Sequence, residues 1–403
     1  MTYLDWASTS PPDDSIAAES ALLQAEAYGN PSSAHSLGLE ARSRLEEARS
    51  LLAQAIAPGE GARSGKLAFT SGGTEADTLP LLAVLRSALA ARGGGARRGG
   101  EMKELRILTT GIEHAAVFGQ ARLLESLGLA LDIVNPGSDG IVDPAKIAGA
   151  VRKDTALVAV IAVNNETGAI QDLAEISRLV AEAAGALGRR PPRLHADAVQ
   201  ALGKIAFSPA SHGISSASFS AHKIRGPRGI GALWHEGQLE PMTVGGGQEG
   251  GIRPGTENLQ GAWAFAAAAR KAVSSLEDNR RRARAMEARL IDGLGAIRGA
   301  VPLPLGREAG DERYSPFILS AAFPGLAGEV MVRALSDLGV AVSTGAACSA
   351  NSKKAVRRVL DAMGLEAELS MSAVRISTGG TTTEADIDRF LEAAETAYAK
   401  LGA

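Results

Sequence analysis

The sequence predicts an α/β protein with a mainly parallel sheet, followed by a smaller α+β domain. Three observations carry this expectation. Between about residues 66 and 235 the chain repeats a short apolar run, a glycine-rich or polar turn and a longer Ala/Leu/Arg-rich segment, the alternation expected of βα units. From about 259 to 294 apolar residues recur at helical spacing among Ala, Arg and Glu, which reads as one long helix joining two domains. A chain of 403 residues with 45% hydrophobic content can also build one large core and one smaller one.

In chain order, 66–70 reads as a strand, Ser71-Gly72-Gly73-Thr74 as a tight turn and 75–90 as a helix that must accommodate Pro80 in its first turns. Further strands are expected at 106–109, 131–134, 156–163, 193–196 and 216–220, most of them followed at once by polar residues. Residues 91–103 set glycines among arginines, cannot bury a core, and read as an exposed, mobile loop. The segment 187–193, with two prolines, reads as a surface connection. Past the long helix, strand-like runs at 315–322, 340–343 and 373–377 alternate with helical patterns near 327–338 and 383–401, which makes the remainder α+β.

Composition narrows the function classes. A net charge of −3 supplies no positive field for nucleic acid or an anionic membrane, so a small neutral or zwitterionic substrate fits better. Met1 to Trp6 does not read as a leader and no apolar run is long enough to span a bilayer, so a cytoplasmic location is expected. The single cysteine, Cys348, excludes an intramolecular disulfide and agrees with a reducing compartment. His35, His114, His195, His212, His222 and His235 are scattered, with no cysteine cluster, so no metal is expected.

Two motif matches fail on context. Gly245-Gly246-Gly247-Gln248-Glu249-Gly250 satisfies G-x-G-x-x-G, but Arg253-Pro254-Gly255 continues the loop where a dinucleotide-binding helix should start. Gly65-Lys66 lacks the glycine and the Ser/Thr of a P-loop. Another set is more coherent. Ser71-Gly72-Gly73-Thr74-Glu75 joins a strand to a helix, where close backbone approach and free N–H groups favour a phosphate. Asp197 closes an apolar strand, where open α/β sheets place ligands, although capping the next helix is its bland role. Lys223 ends the following strand beside His222 and near Arg225, surroundings that lower an amine's proton affinity as a Schiff-base nucleophile requires. A strand-end acid, a strand-end lysine and a phosphate turn together suit pyridoxal phosphate.

These residues resemble the fold-type I pyridoxal-phosphate enzymes of the class V aminotransferase group, and within it the cysteine desulfurases of the NifS/IscS type. The likeness runs through nearly the whole chain in the family's motif order. Tyr3 to Thr9, Gly29 to His35, Glu113-His114 and Asn164-Asn165-Glu166-Thr167-Gly168 look like family signatures, and His195-Ala196-Asp197-Ala198-Val199-Gln200 and Ser220-Ala221-His222-Lys223 match its core almost letter for letter. The resemblance implies a mainly parallel seven-stranded sheet in a large domain, 15–258, and a smaller domain of 1–14 and 259–403 that contains the catalytic-cysteine loop. Residue by residue, it implies Gly73, Thr74, Ser220 and His222 at the cofactor phosphate, and His114 stacked on the ring. It also implies Asn165 and Gln200 at the phenolic oxygen, Asp197 at the ring nitrogen, and Lys223 as the Schiff-base lysine. Thr256 would reach the phosphate held by the other subunit, so a homodimer is implied. Asn165 and Arg375 would hold the substrate, with Arg375 gripping its carboxylate through a bidentate fork.

Ser343-Thr344-Gly345-Ala346-Ala347-Cys348-Ser349 looks like the family's catalytic-cysteine loop, whose small residues let the thiol move. The implied reaction converts L-cysteine to L-alanine and leaves a persulfide on Cys348. That sulfur would pass to an acceptor or scaffold protein of an iron–sulfur-cluster or thiolation pathway. The rivals are selenocysteine lyase, another class V aminotransferase activity, and a non-catalytic binding protein that kept the fold. The chain departs from the family at Ala76-Asp77-Thr78, where Ser-Asn-Asn is usual, at Gly73 for a frequent alanine and at Thr344 for a frequent serine. The Arg/Gly segment at 92–103 reads as an insertion with no implied role.

Overall fold

The computed structural model describes residues 1–59, 65–90, 104–345 and 357–402. The chain opens with a short strand, β1 (Thr2–Tyr3). A seven-stranded sheet follows, made of β2 (Gly65–Thr70), β3 (Arg106–Thr110), β4 (Ala130–Val134), β5 (Thr155–Ile161), β6 (Arg193–Asp197), β7 (Ser216–Ser220) and β8 (Gly231–Glu236) in the order β2-β8-β7-β6-β5-β3-β4. All neighbours pair in parallel except β8, which runs antiparallel to both β2 and β7.

Strand alternation divides the residues between the two faces. Leu108, Val158, Leu194, Ala196, Ala217 and Phe219 enter the largest core. There they meet apolar residues of α1 (Asp14–Glu26) and α2 (Ser36–Ile56). On the opposite face Ile107, Leu157 and Ala159 pack against α3 (Gly73–Ala90) and α4 (Ala115–Ser126). α5 (Pro144–Ala150), α6 (Leu173–Ala186) and α7 (Leu259–Ser274) also join the largest core. The same alternation turns His195, Asp197, Ser216, Ser218 and Ser220 toward the α3 side.

A second core forms around α8 (Leu276–Ala296), β10 (Ile318–Ala322), α9 (Gly328–Asp337), β11 (Val340–Ala341), β12 (Ala373–Ser377) and α12 (Glu384–Leu401), whereas Leu303 of β9 (Val301–Leu303) joins the largest core. Between β11 and β12 run α10 (Arg358–Ala362) and α11 (Ala367–Met371). The three strands β12-β10-β9 form an antiparallel sheet, while β1 pairs in parallel with β11 and so returns the N-terminus to this core. A reciprocal Thr383–Asp386 capping box starts α12.

The expected long helix is two helices broken at Ser275. Leu259, Ala262 and Phe265 of α7 belong to the largest core and Met286, Leu290 and Leu294 of α8 to the second, and no straight helix can serve both. Packing therefore changes at Ser275, whereas the sequence reading divided the chain at 258/259. β8 was not foreseen, because it returns antiparallel without a helix and so lies outside the βα rhythm. The expected strands at 156–163 and 315–322 are shorter, β5 ending at Ile161 and β10 starting at Ile318. Pro80 sits buried inside α3. The loop expected at 91–103 lies outside the described residues.

Candidate active site

A cavity of about 530 Å³ opens where β6 and β7 end and α3 and α4 begin. Gly73, Thr74, His114, Asn165, Asp197, Gln200, Ser220, His222, Lys223 and Arg375 all line it, although they lie up to 302 positions apart in the sequence. Thr256 does not line the cavity and is exposed. Its glycine-rich loop is anchored elsewhere, by the buried Glu249 carboxylate, which accepts from Phe69 N (2.8 Å) and from Arg49 Nη1 (2.5 Å). Cys348 lies outside the described residues, although Gly345 reaches the cavity wall.

The lysine end is tied to the N-terminal segment. Lys223 closes a short 3₁₀ turn after β7, and its Nζ donates to Ala7 O and Ser8 O, both at 2.7 Å. Gln200 Nε2 donates to the same Ala7 carbonyl at 2.9 Å, and Lys204 Nζ donates to Gln200 Oε1. These bonds orient the Gln200 amide. His222 Nδ1 is 3.0 Å from Thr9 Oγ1, and burial lowers its pKa to about 4, so the ring is neutral.

Three acids also line the cavity, Asp77, Glu113 and Asp197. Asp197 Oδ1 accepts from Val199 N at 3.0 Å. Burial, with a contribution from the nearby Asp77 carboxylate, raises the Asp197 pKa to about 7. Asp77 is 1% exposed, its Oδ1 lies 3.2 Å from His195 Nε2, and burial raises its pKa to about 7 as well. The histidine's pKa falls to about 4 for the same reason, so His195 and Asp77 form a hydrogen-bonded contact rather than a fully charged pair. Glu113 is fully buried, accepts at Oε1 from Thr110 Oγ1 (2.5 Å) and Ile161 N (2.9 Å), and leaves Oε2 unpartnered among the described residues. Burial pushes its pKa up to about 8.

His114 caps α4. Its Nδ1 accepts from Ala116 N at 3.2 Å, which leaves Nε2 as the protonated nitrogen of the neutral ring, and burial holds its pKa below the usual imidazole value. Arg375 donates from Nη1 to Asn165 O (2.9 Å) and from Nη2 to Asp5 Oδ1 (2.8 Å) and Ser8 Oγ (2.6 Å). Its Nε is buried with no partner among the described residues. Asn164 holds the 164–168 turn: Nδ2 donates to Ile112 O and Oδ1 accepts from the backbone N–H groups of Glu166 and Thr167, all at 2.9 Å. Asn165 thereby stays at the wall.

Gly73 explains a departure from the family. A Cβ there would meet Val199 Cγ2 at 2.7 Å, so the turn fits against Val199 only without a side chain. Sequence reasoning missed Asp77, the Glu113 carboxyl, Glu166 and Arg358, all of which line the cavity. Asp77 was visible only as a mismatch, and nothing in its sequence context shows that the fourth residue after Gly73 turns into the cavity. The expectation of no metal meets a further geometric fact: Asp77, His114 and Asp197 offer ligand atoms within 4.8 Å of one another.

The sequence pattern of the Aminotransferase class-V family matches residues 2–390. The chain belongs to that family. An IscS-like cysteine desulfurase of Mycobacterium tuberculosis is 36% identical, the match covering 99% of this chain and 97% of the relative. Among solved structures, a NifS-like protein superposes with a TM-score of 0.86 at 32% identity, covering 99% of this chain and all of the other. SspA in complex with cysteine superposes with a TM-score of 0.75 at 25% identity, covering 95% of this chain and all of that one. The α/β fold expected from the sequence is that of these NifS-like structures, with its seven-stranded, mainly parallel sheet.

The donor set fits the cofactor that the family implies. The N-terminus of α3 at Gly73 and Thr74 has backbone N–H groups free of helical partners, suited to a phosphate dianion. Ser220 and neutral His222 add uncharged donors, Lys223 an amine and Asp197 an acid for a ring nitrogen, all lining the one cavity. Among the described residues no helix is long and apolar enough to cross a membrane.

Proposed function

We propose that this chain is a pyridoxal-phosphate-dependent cysteine desulfurase that converts L-cysteine to L-alanine and keeps the sulfur on Cys348. The observation that carries the reading is the convergence in one cavity of Lys223, Asp197, the α3 N-terminus and Arg375. It is supported by full-length similarity to proteins named cysteine desulfurases and by a structural neighbour solved with cysteine.

Gly73, Thr74, Ser220 and His222 would hold the cofactor's phosphate, Asn165 and Gln200 its phenolic oxygen, Asp197 its ring nitrogen, His114 its face and Lys223 its aldehyde carbon. When bound, pyridoxal phosphate supplies an electron sink for the pair released at the substrate's Cα. Arg375, oriented by Asp5, Ser8 and Asn165 and lining the cavity, would grip the substrate carboxylate. Lys223 Nζ moves the Cα proton, and His114 exchanges a proton at Nε2 with the substrate thiol. The Cys348 thiolate attacks the substrate sulfur. An S–S bond forms and the substrate's Cβ–S bond breaks. Its electron pair stays with the carbon, which is protonated and leaves as alanine. The persulfide then goes to an acceptor protein, and Thr256 serves the site of a second copy in a homodimer working in the cytoplasm.

The test is alanine release from L-cysteine in the presence of a thiol reductant. Cys348→Ala should abolish it, while borohydride treatment should fix cofactor mass on the peptide bearing Lys223. Full activity of Cys348→Ala overturns the sulfur-transfer step, and no cofactor mass on that peptide at saturating pyridoxal phosphate overturns the whole reading.

A further inference from the structure

Asp77 has no part in the chemistry above, yet it is one of the most deeply buried groups at the site. It projects from the second turn of α3 onto the polar face of the sheet and lines the cavity. Its carboxylate lies within 4.8 Å of the nearest ligand atoms of Asp197 and His114, and 3.2 Å from His195 Nε2. Ser218 Oγ is 3.3 Å from that same nitrogen, and Ser216 Oγ is 2.9 Å from His195 Nδ1. A neutral His195 held this way can donate from Nε2 to Asp77. Glu113, from the start of α4, adds a third buried carboxyl with an unpartnered Oε2 on the same wall.

Two buried carboxyls this close, Asp77 and Asp197, cannot both ionise at neutral pH unless a cation enters. Burial favours the protonated form of Asp77, and the same holds for Asp197 and Glu113. We propose that Asp77 is a positioning residue whose carboxylate, supported by His195 and Ser218, deepens the negative field around Asp197 and so strengthens its hold on a protonated heteroaromatic nitrogen. This rests on the cofactor reading given above. An amide in place of the Asp77 carboxylate cannot supply that field.

The proposal predicts a pH signature. Below about pH 6 Asp77 carries its proton and resembles an amide; above about pH 8 it is an anion. Equilibrium dialysis of the full chain against pyridoxal phosphate should show Asp77→Asn binding at least about ten-fold more weakly than wild type at pH 8.5, and equally well at pH 6. The asparagine still accepts from His195, so a merely structural role predicts the same ratio of affinities at both pH values. That constant ratio, or no difference at either pH, overturns the proposal. Ser218→Ala provides a second handle should Asp77→Asn fail to fold. Withdrawing one donor raises the pH at which Asp77 ionises, so its deficit should be larger above neutral pH than at pH 6, and a flat profile overturns the proposal. Wild type that retains no pyridoxal phosphate at any pH brings down the cofactor reading itself, and the proposal with it.

Discussion

Replacing Arg307 with methionine tests how the second core is tied to the turn that carries Asn165. Arg307 is 5% exposed and donates to Thr167 O and Ile318 O (both 2.8 Å), Ser315 O (3.0 Å) and Glu287 Oε1 (2.6 Å). The methionine fills most of the volume but takes a donor from three buried carbonyls and one carboxylate oxygen, of which Ser315 O keeps Ile318 N at 3.4 Å. Breaking a buried ion pair costs about 3–5 kcal/mol. Here Arg284 Nη1 still holds Glu287 Oε2 at 2.7 Å, which softens the loss, while the carbonyls that lose a donor add to it. The expected destabilisation is about 4 kcal/mol, equivalent to a urea midpoint about 1.5 M lower by far-UV circular dichroism. Arg307→Met/Glu287→Met, which removes both charges, should recover at least half of that shift. A single-variant midpoint within about 0.3 M of wild type, or a double variant no better than the single, refutes the idea that this buried network carries the coupling.

Relative to wild type, Glu113→Gln should gain apparent melting temperature as the pH rises from 4.5 to 9. The folded pKa of about 8 lies above the unfolded value, so the stability gained from the buried acid is present at low pH and lost as pH rises through 8, whereas an amide has nothing to lose. Differential scanning fluorimetry at the two pH values checks this, and equal shifts at both exclude a buried acid as the cause. Gly73→Ala should weaken cofactor retention in dialysis several-fold, because the new Cβ meets Val199 Cγ2 at 2.7 Å. Val199→Ala in the same chain should restore most of it, and no rescue means the clash lies elsewhere.

Much of the fold was legible because its signals are local. The apolar runs that became β2, β3, β4, β6 and β7 each sit between polar turns, and their periodicity survives without any tertiary context. β8 and the break at Ser275 were not legible. The first depends on an antiparallel return that no local rhythm announces. The second depends on α7 and α8 facing different cores. In the site, Asp197 and Lys223 could be found because strand-end acids and amines are chemically conspicuous. Asp77, Glu113 and Arg358 could not, since an acid or arginine at a helix start usually faces solvent.

The sequence by itself determined the layering, the family resemblance and the set of chemically capable side chains, because strand alternation, glycine turns and the order of motifs are properties of the chain. Only the tertiary structure decided which of them meet. It set His195 against Asp77, drew Ala7 and Ser8 from the far N-terminus onto Lys223, and left Thr256 outside the cavity of its own chain. The physical reason is that burial and proximity, which set proton affinity and hydrogen-bond partners, depend on distances in space that separation along the chain does not encode.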